Sequence, residues 1–108
     1  MSMSPSLFSY SIASTDGRTT LSLRGELDMS CTIELEAITG ALSSFEGTDL
    51  VVDLSELSFL DSTGLSYLLK ARETLRQRGK RVQVVGAHGG VLKVIKVTGL
   101  TDVLNVVR

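Results

Sequence analysis

The chain has no tryptophan, one cysteine, one histidine and one proline in 108 residues, and its aromatic content is only 5%. Each scarcity removes a class of function. A single cysteine, Cys31, cannot close an internal disulfide, which fits a reducing compartment and makes the cytoplasm the expected location. With few aromatics there is no stacking platform for bases, and a net charge of -1 supplies no basic field for a phosphate backbone, so nucleic acid is not an expected partner. No apolar run approaches the roughly 18 to 20 residues that cross a bilayer, and Met1-Ser2-Met3-Ser4-Pro5-Ser6 lacks the basic and apolar regions of a secretory signal, so no membrane is expected. One histidine and one cysteine offer no metal-ligand spacing, and no cofactor motif is present.

What remains is ordinary for one folded domain: 43% hydrophobic and 21% charged residues. Residues 1–6 read as a loose N-terminus and 7–108 as the domain. Leu7-Phe8-Ser9-Tyr10-Ser11-Ile12 and Thr20-Leu21-Ser22-Leu23-Arg24 alternate about an Asp16-Gly17 turn, predicting a β-hairpin. Gly25-Glu26-Leu27-Asp28 reads as a loop, with Asp28 or Ser30 placed to cap a helix. The spacing of Ile33, Ala37, Ile38, Ala41, Leu42 and Phe45 predicts a first helix ending near Gly47. Leu50-Val51-Val52-Asp53-Leu54 reads as a strand covered on both faces. A second helix follows from Thr63 to before Gly79, then a strand at residues 81–85, a short helix at 91–97 and a last strand at 103–107. The order ββαβαβαβ predicts an α/β domain with a mixed sheet of about five strands, its helices mainly on one face and the other face poorly covered.

Several stretches carry chemistry in principle. His88 lies in Gly86-Ala87-His88-Gly89-Gly90, between a strand and a helix, where a Ser-His-Asp triad with Ser62 would be within topological reach. Ser62 is not in a Gly-x-Ser-x-Gly elbow, however, and the glycine loop matches no phosphate-binding pattern, so a tight strand-to-helix turn is the better reading. The basic residues Lys70, Arg72, Arg76, Arg78, Lys80 and Arg81 cluster around the end of the second helix, where positive charge complements the helix dipole; partner binding is the minority reading. Cys31 reads as small packing filler, with redox sensing the lesser alternative.

The most informative stretch is Leu60-Asp61-Ser62-Thr63-Gly64-Leu65. It places two hydroxyls beside a carboxylate where a helix opens. Ser62 at or next to the N-cap is suited to accept a first-turn N–H. Yet two hydroxyls exceed what one cap needs, Gly64 leaves the backbone open to close approach, and free N–H groups there favour an anion.

These residues resemble the STAS-domain anti-sigma factor antagonists of bacteria. The resemblance covers nearly the whole chain. It rests on Gly25-Glu26-Leu27-Asp28, Val51-Val52-Asp53-Leu54-Ser55, Phe59-Leu60-Asp61-Ser62-Thr63-Gly64-Leu65, and Lys93-Val94-Ile95-Lys96-Val97-Thr98-Gly99-Leu100. It implies a regulatory switch and not an enzyme: the unmodified antagonist binds an anti-sigma factor, a serine kinase with a bound adenine nucleotide, and so frees a sigma factor. Ser62 is then the phosphoacceptor, and a PP2C-type phosphatase reverses the mark. The resemblance further implies that Asp61, Thr63 and Gly64 shape the kinase-facing surface with the Glu26-Asp28 loop beside it. Thr63 is open as a second acceptor or as a residue that only presents Ser62. A C-terminal helix common in the family has no counterpart before Arg108, and a monomer or weak dimer is expected. The alternative is a STAS binding or scaffold subunit of a stress-signalling or transport complex without sigma-factor control.

Overall fold

The computed structural model describes residues 7–44 and 46–107. Strands β1 (Phe8–Thr15) and β2 (Arg18–Leu27) form the expected hairpin, and Asp16 and Gly17 both take the positive φ that the tight turn requires. A single 3-10 turn (Met29–Cys31) leads into α1 (Thr32–Ser43). The remaining elements are β3 (Asp49–Leu60), α2 (Ser62–Gln77), β4 (Arg81–Val85) and α3 (Gly89–Val97). The sheet order is β1-β2-β3-β4, antiparallel for β1–β2 and parallel for β2–β3 and β3–β4. A strand followed by a helix and a parallel strand needs a crossover, and α1 and α2 supply the two.

One face of the sheet carries the core. Leu21 and Leu23 of β2, Leu50, Val52 and Leu54 of β3, and Val84 of β4 are buried in one cluster with Ile38 of α1, Leu65 and Leu68 of α2, and Ile95 of α3. The other face is polar and open, with Arg24 joined to Ser11 and Glu56 and with Arg81 joined to Asp49. β3 is therefore covered on one face, not two: Val51 and Asp53 are only half-buried. Its length has a specific device. The register with β2 slips at Ser22/Arg24 and again at Gly25/Glu26, each time giving β3 one extra residue. The two bulges convert strict alternation into a spacing of three, so that Leu54, Leu57 and Leu60 all stay in the core.

Four expectations are corrected. Gly25, Glu26 and Leu27 belong to β2 and not to a loop: the Glu26 N–H donates to the Leu7 carbonyl at 3.0 Å, and Glu26 and Leu27 pair with Phe59 and Leu60. The fifth strand is absent among the described residues. Asn105 takes a positive φ of 53°, and turn hydrogen bonds such as Val106 N–H to the Thr101 carbonyl wind the segment. Only Val106 bridges to Val84, and that short contact still covers the outer edge of β4. Helix α1 buries Leu35, Ile38 and Leu42, while Ile33, Ala37 and Ala41 face solvent; Phe45 lies outside the described residues, as do residues 1–6 and Arg108. Two apolar stripes compete along that helix, and the one carrying the two leucines wins the core. Helices α2 and α3 begin one and two residues earlier than expected, and both stop before a positive-φ glycine, Gly79 and Gly99.

Gly25 is the tightest point of the hairpin. Its φ is +89°, and a Cβ there would lie 1.7 Å from the Leu7 carbonyl oxygen. Gly25→Ala is expected to cost at least about 2 kcal/mol, combining left-handed strain with overlap against backbone. Urea unfolding measures this; a loss under about 0.5 kcal/mol contradicts the assigned conformation.

Candidate functional site

Where β3 gives way to α2, three interactions fix the chain. Asp61 is extended (φ -100°, ψ -176°), and its Oδ1 accepts the Gly64 N–H at 2.9 Å. The Asp61 N–H donates to the Leu27 carbonyl at 3.2 Å, tying the end of β3 to the end of β2. Gly64 is buried, and a Cβ on it would meet Leu27 Cγ and Leu60 Cδ1 at 2.8 Å each. The first turn of α2 therefore rests directly on the ends of two strands.

The cap is Asp61 and not Ser62. A carboxylate in extended conformation one residue earlier takes the N–H that the serine was expected to satisfy. Ser62 is the first residue inside the helix. It is exposed, and its hydroxyl makes no hydrogen bond to the described residues. Thr63 is likewise exposed. As first-turn residues, Ser62 and Thr63 have N–H groups with no intrahelical acceptor, and these present positive potential to solvent. Gly64 has the opposite placement: it faces Leu27 and Leu60 and seats the helix.

The Glu26–Asp28 segment does lie beside this turn, held there by the Leu27 carbonyl. Glu26 is half-buried at the end of β2. Asp28 caps the 3-10 turn, its Oδ1 accepting both the Ser30 hydroxyl and the Ser30 N–H, and these two hydrogen bonds hold its carboxyl below the ordinary aspartate range. Cys31 is buried, and burial pushes its thiol up, as expected of packing filler.

Sequence reasoning missed the apolar part of the surface. Met29, Ile33 and Phe59, on the segments flanking the turn, are 71%, 78% and 47% exposed. Ile33 falls in the predicted apolar stripe of α1 yet faces solvent; Met29 and Phe59 carry no periodic signal because each sits at or next to an element's end. His88 Nε2 lies 2.9 Å from the Ser55 carbonyl oxygen, and no described residue hydrogen-bonds the Ser62 hydroxyl. Among the described residues no group of three or more His, Cys, Asp or Glu side chains could hold a metal. The basic cluster is largely consumed locally. Arg72 and Arg76 pair with Glu73, Arg81 with Asp49, and Arg78 and Lys80 donate to the carbonyls of Leu42 and Gly47. No helix among the described residues is long and apolar enough to cross a membrane.

This division of labour separates two substitutions. Asp61→Ala is expected to lower stability by about 1 kcal/mol through loss of the cap, and Ser62→Ala by less than about 0.5 kcal/mol. Parallel urea titrations compare them; equal losses contradict the assignment of the cap to Asp61.

Residues 10–107 match the family described as "Mlab, STAS domain". An anti-sigma-B factor antagonist of Staphylococcus aureus is 30% identical over 82 residues, 76% of each chain. The crystal structure of an anti-sigma factor antagonist from Mycobacterium paratuberculosis superposes with a TM-score of 0.83 at 30% identity, covering 95% of this chain and 87% of that one. The fold is also that of the Bacillus cell fate determinant SpoIIAA in its phosphorylated form, with a TM-score of 0.69 at 22% identity, over 93% of this chain and 92% of that one. The chain belongs to the STAS-domain family of anti-sigma factor antagonists.

Proposed function

We propose that this chain is a phosphorylation-controlled antagonist of an anti-sigma factor in the cytoplasm, acting by binding and not by catalysis. Unmodified, it binds an anti-sigma factor that is a serine kinase with a bound adenine nucleotide, and so releases a sigma factor. The kinase transfers a phosphoryl group to Ser62. The Oγ–P bond forms as the bond from the γ-phosphorus to the β-phosphate oxygen of ATP breaks, ADP departs, and the hydroxyl proton passes to a base on the kinase. A PP2C-type phosphatase hydrolyses the ester.

The observation that carries this reading is the free, exposed hydroxyl of Ser62 at the start of a helix whose cap belongs to its neighbour. A structural serine would be bonded; this one is available. A phosphate there adds about -1.5 to -2 charges beside Asp61. The unpaired N–H groups of the first turn offset part of the repulsion within the domain, so the fold tolerates the mark. A partner holding a nucleotide phosphate against the same surface has no such compensation, and like charges brought together at an interface cost on the order of several kcal/mol. Each 1.4 kcal/mol is tenfold in affinity. The exposed Met29, Ile33 and Phe59 provide the apolar contact area of the interface, with Glu26, Asp28, Asp61 and Thr63 as its polar members.

With its kinase and ATP, the wild-type chain is expected to gain one phosphate and Ser62→Ala none, by intact-mass measurement. Phosphorylated protein is expected to bind the anti-sigma factor at least about tenfold more weakly than unmodified protein. Stoichiometric phosphorylation of Ser62→Ala overturns the acceptor assignment, and a parallel Thr63→Ala sample identifies a second acceptor.

A further inference from the structure

Of the two edges of the sheet, only one is covered among the described residues. At the β4 edge, Val84 donates to the Asn105 carbonyl and accepts the Val107 N–H. β1 forms the opposite edge. Natural sheets blunt a free edge with a lysine, a proline, a bulge or a very short strand. β1 has none of these: it runs eight residues, Phe8–Thr15, without a charge or a proline, and its register with β2 never slips. The phase of its outer groups follows from the Asp16-Gly17 turn. A two-residue turn closes on a hydrogen-bonded pair, Thr15 with Arg18, and such pairs alternate along the hairpin. Ala13, Ser11 and Ser9 therefore bond to β2, and the Leu7 carbonyl, in the same phase, accepts the Glu26 N–H at 3.0 Å. Tyr10, Ile12 and Ser14 turn their N–H and C=O groups outward, where no described residue bonds them.

We infer that β1 pairs antiparallel with β1 of a second copy, about a two-fold axis at Ser11, so that two four-stranded sheets become one of eight. Three observations select a second copy as the occupant. The outward phase permits only registers that set Tyr10, Ile12 and Ser14 against outward residues, and the Ser11 axis is the permitted register that overlaps the whole strand. In it Tyr10 of each copy lies opposite Ile12 of the other, an aromatic residue against a β-branched one twice over, and this covers an isoleucine that is 36% exposed. Charge does not oppose the contact. β1 is neutral, and Arg24 of β2, which donates to Ser11 Oγ, is already paired with Glu56. With the β4 edge covered, each copy has one edge to offer, so the assembly closes at two and does not grow into a fibre. The Phe8 end of β1 lies at the same end of the sheet as Leu27, Leu60 and Ser62. Reversal of the strand in the second copy therefore puts the two Ser62 turns at opposite ends of the joined sheet, both open to a partner.

The test uses the intact, unmodified chain. Sedimentation from about 10 μM to about 1 mM is expected to show a reversible shift toward twice the chain mass of 11.6 kDa and nothing larger. Over the same range the Tyr10, Ile12 and Ser14 amides are expected to gain protection from exchange, while Ser11 and Ala13, already bonded to β2, stay protected throughout. Ser11→Lys sets two like charges face to face on the axis and is expected to weaken self-association about threefold to tenfold, as is Ser11→Asp. An equimolar mixture of the two variants is expected to restore the dimer as a heterodimer, which only a register centred on Ser11 allows. Ile12→Lys, at an exposed position, is expected to abolish the dimer and serves if a Ser11 variant fails to fold. A monomer at every concentration, growth beyond two copies, or protection gained away from β1 overturns the proposal. So does a dimer undiminished in folded Ser11→Lys or Ile12→Lys, or two Ser11 variants that do not rescue each other. None of these outcomes bears on whether Ser62 is phosphorylated.

Discussion

The hydrogen bond from the Gly64 N–H to Asp61 Oδ1 is the contact on which the site depends. It ends β3, starts α2 and relieves Ser62 of the structural duty that a serine in that position usually has. It works only because Gly64 has no side chain. A Cβ would strike Leu27 and Leu60, the last residues of β2 and β3, so the helix could not settle close enough to the strand ends to be capped there. The backbone bond from Asp61 to the Leu27 carbonyl then brings the Asp28 turn alongside. One carboxylate, one glycine and one strand-to-strand bond fix the whole constellation.

The arrangement separates stability from signalling. The residues that hold the turn, Asp61, Gly64, Leu27 and Leu60, are buried or hydrogen-bonded. Those left over, Ser62 and Thr63 with the flanking Met29, Ile33 and Phe59, face solvent. A charge added to the second set changes what the surface repels and need not disturb the first. The dipole of α2 favours this further, since its positive end is where a phosphate would sit.

The sequence was legible where a local rule acts alone. Asp16-Gly17 specified the hairpin turn, the glycines at 79 and 99 marked two helix ends, and the apolar spacing of α2 set its buried face. It was misleading where two local rules compete. Asp61 and Ser62 are adjacent and both suit a cap, and only tertiary placement shows which residue is extended. Along α1 two apolar stripes are available, and the sheet accepts the one with Leu35 and Leu42. Residues 103–107 have strand composition, but the left-handed backbone at Asn105 winds them into a turn. The bulges in β3 left no local signal, since they answer the register of β2. Ser62 was found through the resemblance of the whole chain more than through its immediate neighbours, because a helix start with a hydroxyl is common and a free hydroxyl beside an occupied cap is visible only in three dimensions.

Under the proposed switch, modification of Ser62 alters the surface while the Asp61 cap stays intact. Hydrogen exchange of the Gly64 amide, compared in the unmodified and Ser62-phosphorylated chain, tests it most directly. This amide is expected to remain protected to within about threefold after phosphorylation, a change equivalent to less than about 1 kcal/mol, while the Ser62 and Thr63 amides shift strongly. Loss of Gly64 protection by a hundredfold or more would mean that the phosphate unwinds the first turn of α2, and that the switch acts by changing the fold.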